Sequence, residues 1–150
     1  MTHIRTLADG LRRQYGTSDP FALCERLDIA VLFTDLPQIT KGFFFVLRDQ
    51  PIINLNQSLA EEEKAAVCAH ELGHALLHPT SNSPFLASNT NLVLGRFERE
   101  ADYFSACLLL DDSVEPRGEC TLQQIAWEHH LPVRVVQLWA QINSGIKRSF

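Results

Sequence analysis

The stretch VCAHELGHALLHP, residues 67–79, sets histidines at 70, 74 and 78, with Glu71 directly behind the first. On a helix, residues four apart lie on one face a single turn apart, so His70 and His74 can present two imidazole nitrogens to one ion. Zinc accepts such ligands at roughly 2.0–2.1 Å in tetrahedral geometry, and a catalytic site keeps one position for water, whose pKa falls to ~7 on binding. From its offset of one residue, the Glu71 carboxylate can reach that water and take its proton. His78 stands apart. It is two turns, about 12 Å of rise, from His70, so it cannot join both other histidines on one ion without unwinding the helix. With Pro79 immediately after it, His78 reads as a C-cap residue or a support behind the ligands.

The surrounding residues favour the helix this reading requires. Ser58 is expected to cap it, and Glu61, Glu62 and Glu63 suit the positive end of its dipole. The helix should run to about Leu77 and be stopped by Pro79. Gly73 would let another chain element approach closely. A third ligand is expected from a further helix over about 96–110, where Glu98 and Asp102 are four apart and share a face. Glu98 could bind the ion while Asp102 orients a ligating histidine through its other ring N–H. Glu100 points about 160° away from Glu98 by helical arithmetic. With Arg99 it reads as a solvated charged face.

Outward from this pair of helices the chain reads as α+β. Ile4, Leu7, Ala8, Leu11 and Tyr15 recur at helical spacing, Gly16 ends that helix, and Ser18-Asp19-Pro20 starts a second to about Leu27. The short apolar runs at 29–33, 42–47 and 51–56 predict a small three-stranded sheet, antiparallel because the connections are short. This sheet would pack on the histidine helix. Residues 79–94, rich in Ser, Asn, Thr and Pro, read as a loop able to act as a lid. TLQQIAWEHH and LPVRVVQLWAQI form a C-terminal helical pair joined at Leu131-Pro132. We expect a single domain over 1–150, with N-terminal helices at 1–28, the site-bearing core at 29–112 and the helical pair at 113–150.

Composition narrows the function classes. Of 150 residues, 45% are hydrophobic and 21% charged, ordinary globular usage, and the net charge of −5 weighs against a nucleic-acid-gripping protein. The terminal helical pair has the look of a helix-turn-helix, but its second helix offers only Arg134 before Lys147 and Arg148. That is too little for phosphate neutralisation, so no direct nucleic-acid binding is expected. No segment resembles a signal peptide or approaches the ~18 apolar residues of a membrane span, which predicts a cytoplasmic location. Cys24, Cys68 and Cys107 sit in apolar helical patterns and read as reduced, structural thiols; Cys120 is the one expected to be exposed.

HELGHALLH followed some 20 residues later by E-x-x-A-D-Y-F-x-A-x-L-L resembles the ImmA/IrrE-type metallopeptidases, gluzincin-like zinc proteases. DPFALCERLDIAV and IINLN extend the likeness over about residues 15–112. The resemblance implies His70, His74 and Glu98 as zinc ligands and Glu71 as general base, with Mn2+ or Fe2+ as other metals such ligands accept. It also implies a helix-turn-helix repressor as the partner, cleaved or otherwise inactivated. Asp111-Asp112 stands where the family often has a proline, and the chain reads as the minimal form, without a C-terminal sensory domain. A gluzincin usually adds a side-chain donor for the oxyanion; Tyr103, His129 and His130 are open candidates. GFFFVL could hold an extended substrate as an edge strand, or be a plain buried strand. A rival reading is an antirepressor that works by binding alone, its metal site structural.

Overall fold

The structure, a computed structural model, describes residues 1–79, 91–111, 113–114 and 121–147. The larger part of the expected 79–94 loop and most of the DDSVEPRGEC segment, Cys120 included, lie outside the described residues. The elements run α1 (Thr2–Tyr15), α2 (Pro20–Arg26), β1 (Ala30–Thr34), β2 (Gly42–Leu47), β3 (Gln50–Asn56), α3 (Glu61–Leu77), α4 (Asn91–Leu109), α5 (Leu122–Glu128) and α6 (Val133–Lys147). Helices and a small sheet in one chain give the α+β class that the sequence predicts.

The helix boundaries follow local chemistry. Gly16 closes α1 in the left-handed region, φ 66°, with its N–H on the Arg12 carbonyl, a conformation nearly free of cost only for glycine. The Asp19 carboxylate accepts from the Phe21 N–H ahead of α2. Thr121 and Gln124 form a reciprocal capping box on α5. Ser58 departs from expectation. It does not cap α3, whose N-cap is Ala60; its N–H and hydroxyl both donate to Asn56 Oδ1 instead. That turn ends β3, so the helix starts three residues later and relies on its three leading glutamates. Helix α4 begins at Asn91, earlier than the polar composition of that stretch suggests.

The sheet is mixed rather than antiparallel. Strand order is β1-β3-β2, with β2 antiparallel to β3 and β1 parallel to it. The short β1–β2 connection does reverse the chain, as expected. It is also long enough to step across one strand's width, and β3 then enters between its two predecessors. The crossing segment is held by Asn56, whose Nδ2 donates to the carbonyls of Leu36, Pro37 and Thr40. Among the described residues β2 is an edge strand, so the plain buried-strand reading of GFFFVL does not describe it there.

Helix α4 is the hub, packed on α3 along one side and on α1 and α6 elsewhere. Leu72 of α3, Phe104 and Leu108 of α4, Ile53 and Leu55 of β3, Ile4 of α1 and Val136 of α6 join one buried apolar cluster. At the α3–α4 crossing, a Cβ on Gly73 would come within 3.1 Å of the Ala101 Cα. The glycine therefore sets how near the two helices approach. Cys24, Cys68 and Cys107 are buried free thiols, inside the core as the sequence suggests. Among the described residues no helix is long and apolar enough to cross a membrane.

Candidate metal centre

Because α3 carries its histidines four apart and α4 passes close at Gly73, three side chains from two helices converge. His70 Nε2 and His74 Nε2 are 3.2 Å apart. Glu98 places one carboxylate oxygen 3.1 Å from His70 Nε2 and the other 3.0 Å from His74 Nε2. Ligands around a tetrahedral ion with bonds of ~2.05 Å would stand roughly 3.3 Å apart, so this triangle takes one ion with only a slight expansion. Among the described residues these three are the group able to hold a metal.

Each histidine is oriented from behind. His70 Nδ1 lies 2.9 Å from Asp102 Oδ1, and the second Asp102 oxygen accepts from Arg134 Nη1. His74 Nδ1 lies 3.1 Å from His78 Nδ1, and His78 Nε2 lies 2.9 Å from Glu100, which also accepts from Arg96. For His74 to offer Nε2 to an ion, its Nδ1–H must donate to His78, and His78 in turn donates Nε2–H to Glu100. His78 is the C-cap residue of α3, buried and stacked on the Phe97 ring at 4.0 Å between centroids. Glu100 is not the solvated charge expected. The helical angle separates it from Glu98, but His78 projects past the end of α3 to meet it.

The charges follow from these contacts. Burial opposes a charge on His70, yet the bonds to Asp102 and Glu98 outweigh it and push the ring up to about 10. Both carboxylates therefore favour the protonated ring, and an ion held at Nε2 would have to displace that proton. The His70 and His74 bonds hold Glu98 well below the usual carboxylate range. Burial pushes Glu71 up, with His70 and His74 opposing, which suits a carboxylate that must accept a proton. Burial lowers His78 and favours its neutral ring, with the bond to Glu100 opposing.

His70, Glu71, Glu98 and Asp102 form one wall of a cleft of about 450 Å³. Ala66 and Val67 of α3 and Leu131, Pro132 and Val135 of the C-terminal pair contribute apolar lining, and Ile39 and Lys41 line it as well. The three candidates for an oxyanion donor are not among its lining residues. Tyr103 is fully buried in the core, its hydroxyl on Asn143 of α6, because one helical step turns it roughly 100° from Asp102. His129 is the C-cap of α5, and His130 faces a separate groove beside Trp127. Arg134, weighed above only as a stray positive charge, lines the cleft instead. A buried Asp102 with one oxygen on a histidine needs a partner for the other, and that requirement is the signal by which Arg134 could have been sought.

Two histidines and a glutamate thus converge where they could hold one ion, with the buried Glu71 next to His70 in the chain. The chain belongs to the peptidase family of the IrrE N-terminal-like domain, whose model matches residues 24–137. It is 34% identical over 140 residues to a protein named uncharacterized immunity region protein 2 of Bacillus phage phi105, covering 91% of this chain and 89% of that one. It is 29% identical over 104 residues to metallopeptidase ImmA of Bacillus subtilis (strain 168), covering 68% of this chain and 60% of that protein. In fold it is similar to a Mycobacterium tuberculosis transcriptional regulator, with a TM-score of 0.61 and 16% identity, over 92% of this chain and 46% of that one.

Proposed function

We propose that this chain is a zinc-dependent endopeptidase of the antirepressor type, which cleaves or otherwise inactivates a helix-turn-helix repressor in the cytoplasm. The observation that carries the reading is the convergence of His70, His74 and Glu98 beside the buried Glu71 on an open cleft. Membership of a peptidase family and likeness to a metallopeptidase and to a phage immunity-region protein support it.

His70, His74 and Glu98 would hold the ion, zinc by preference for this nitrogen-rich set, though manganese or iron suit the same ligands. The ion supplies a Lewis acid that acidifies water and polarises a peptide carbonyl. Glu71 takes the proton of the water as its oxygen adds to the carbonyl carbon, and negative charge moves from Glu71 to the carbonyl oxygen. Glu71 then gives that proton to the departing nitrogen as the C–N bond breaks, leaving a carboxylic acid, which ionises to solvent, and an amine. Asp102 and His78 hold the histidine rings in the tautomers this requires. The edge strand β2 begins beside Lys41 of the cleft lining, which suits an extended peptide added along it.

Glu71→Gln tests the reading, because the amide keeps the shape but cannot accept the proton. Zinc should remain bound while cleavage of a helix-turn-helix repressor substrate stops. Continued cleavage by Glu71→Gln refutes the mechanism. Derepression by both forms with no cleavage by either favours an antirepressor that acts by binding alone.

A further inference from the structure

The cleft holds three carboxylates, Glu71, Glu98 and Asp102, and two cations on its lining, Lys41 and Arg134. As the peptide bond is attacked, negative charge appears on the carbonyl oxygen, and a site this acidic must offset it with a donor aimed at that place. The Lys41 ammonium is 3.3 Å from Glu63, which does not line the cleft. Arg134 is tied to the ligand set. One of its Nη atoms donates to Asp102, whose other oxygen is 2.9 Å from a ring nitrogen of His70. The guanidinium is thus one carboxylate away from a metal-binding histidine.

We infer that Arg134 is the side-chain donor that stabilises the oxyanion in this cleft, a role resting on the peptidase reading above. Its side chain is 66% exposed although Asp102 beneath it is 9% exposed, so the anchored fork keeps donors that a bound peptide can reach. It lines both the cleft and an adjoining groove of about 470 Å³ between α4 and α6. A peptide running from one to the other passes over it. Asp102 gives the fork a fixed position before substrate arrives, the preorganisation that makes such donors effective. A guanidinium suits the task better than an ammonium, since its planar fork can bond Asp102 and a second oxygen at once.

The test uses the zinc-loaded full chain and two inhibitors. One is an N-acetyl phosphinic pseudopeptide with leucine side chains on both sides of the phosphinate, which carries the tetrahedral oxygens and suits the apolar wall. The other is a leucine hydroxamate, which grips the ion without them. Arg134→Met should weaken phosphinate binding on the order of 10²–10³-fold, the scale of a lost oxyanion donor, well beyond whatever hydroxamate and zinc affinities lose through Asp102. Arg134→Lys should recover part of the loss. Unchanged phosphinate binding in Arg134→Met overturns the inference. So does an equal loss for phosphinate, hydroxamate and zinc, which marks Arg134 as structural support for Asp102. If the native zinc-loaded chain binds neither inhibitor, the peptidase reading falls and this inference with it.

Discussion

Replacing Gly73 by alanine should damage the metal centre more than it damages the fold. The added Cβ would stand 3.1 Å from the Ala101 Cα, 3.1 Å from a Phe104 ring carbon and 3.3 Å from the Ala101 carbonyl oxygen. Contacting carbons settle at about 3.5–4.0 Å, so α4 must retreat from α3 by roughly 0.4–0.9 Å at this point. The Phe104 ring can turn aside, but the Ala101 backbone cannot. Ala101 lies one turn from Glu98, whose oxygens are now 3.0–3.1 Å from the two Nε2 atoms. Metal–ligand distances tolerate about ±0.2 Å, so the displacement exceeds what the site can absorb. The stability terms partly cancel: alanine gains up to about 1 kcal/mol of helix propensity, and overpacking costs about 1–3 kcal/mol. Net destabilisation should be ~0–2 kcal/mol, while zinc affinity falls on the order of 10–100-fold, as when a group that positions ligands is lost. Chelator competition reads the affinity and thermal unfolding the stability. Gly10→Ala in α1, where a Cβ would meet nothing within 4 Å, isolates the propensity gain and should raise stability. If Gly73→Ala binds zinc like the native chain and unfolds at a higher temperature, the close approach does not set the position of Glu98.

Other expectations follow from the same geometry. His78→Phe keeps an aromatic ring against Phe97 but removes both nitrogens, so zinc affinity should fall on the order of 10–100-fold; unchanged chelator competition would show that His74 is oriented without it. Glu100→Gln keeps an acceptor for the His78 N–H and should lose less. Gly16→Ala puts a side chain at φ 66° and should cost about 1–2 kcal/mol in denaturant unfolding, with zinc affinity unaltered because the cap neither lines the cleft nor touches a ligand. A fall in zinc affinity in that variant would contradict the separation.

Much of the arrangement was legible in the chain because it is written in local spacing. The four-residue interval of His70 and His74, with Glu71 one place along, needs only a helix to become geometry. Glu98 and Asp102 share a face for the same reason, and Gly73 announces a close neighbour without saying which. Helix boundaries set by Gly16, Asp19 and Thr121 are likewise local, since each rests on one backbone conformation or one side-chain bond. The reach of the reading ended where direction in space took over. Whether β3 would lie outside its predecessors or between them depends on how far a connection steps, so the mixed sheet needed tertiary structure. Helical angles placed Glu100 away from Glu98 correctly, but could not show that the end of α3 delivers His78 to it. Nor could any spacing bring Arg134, thirty-two residues further on, to the second oxygen of Asp102. Local periodicity determined which side chains could hold an ion; only the packing of α4 against α3 and α6 decided which charges surround it.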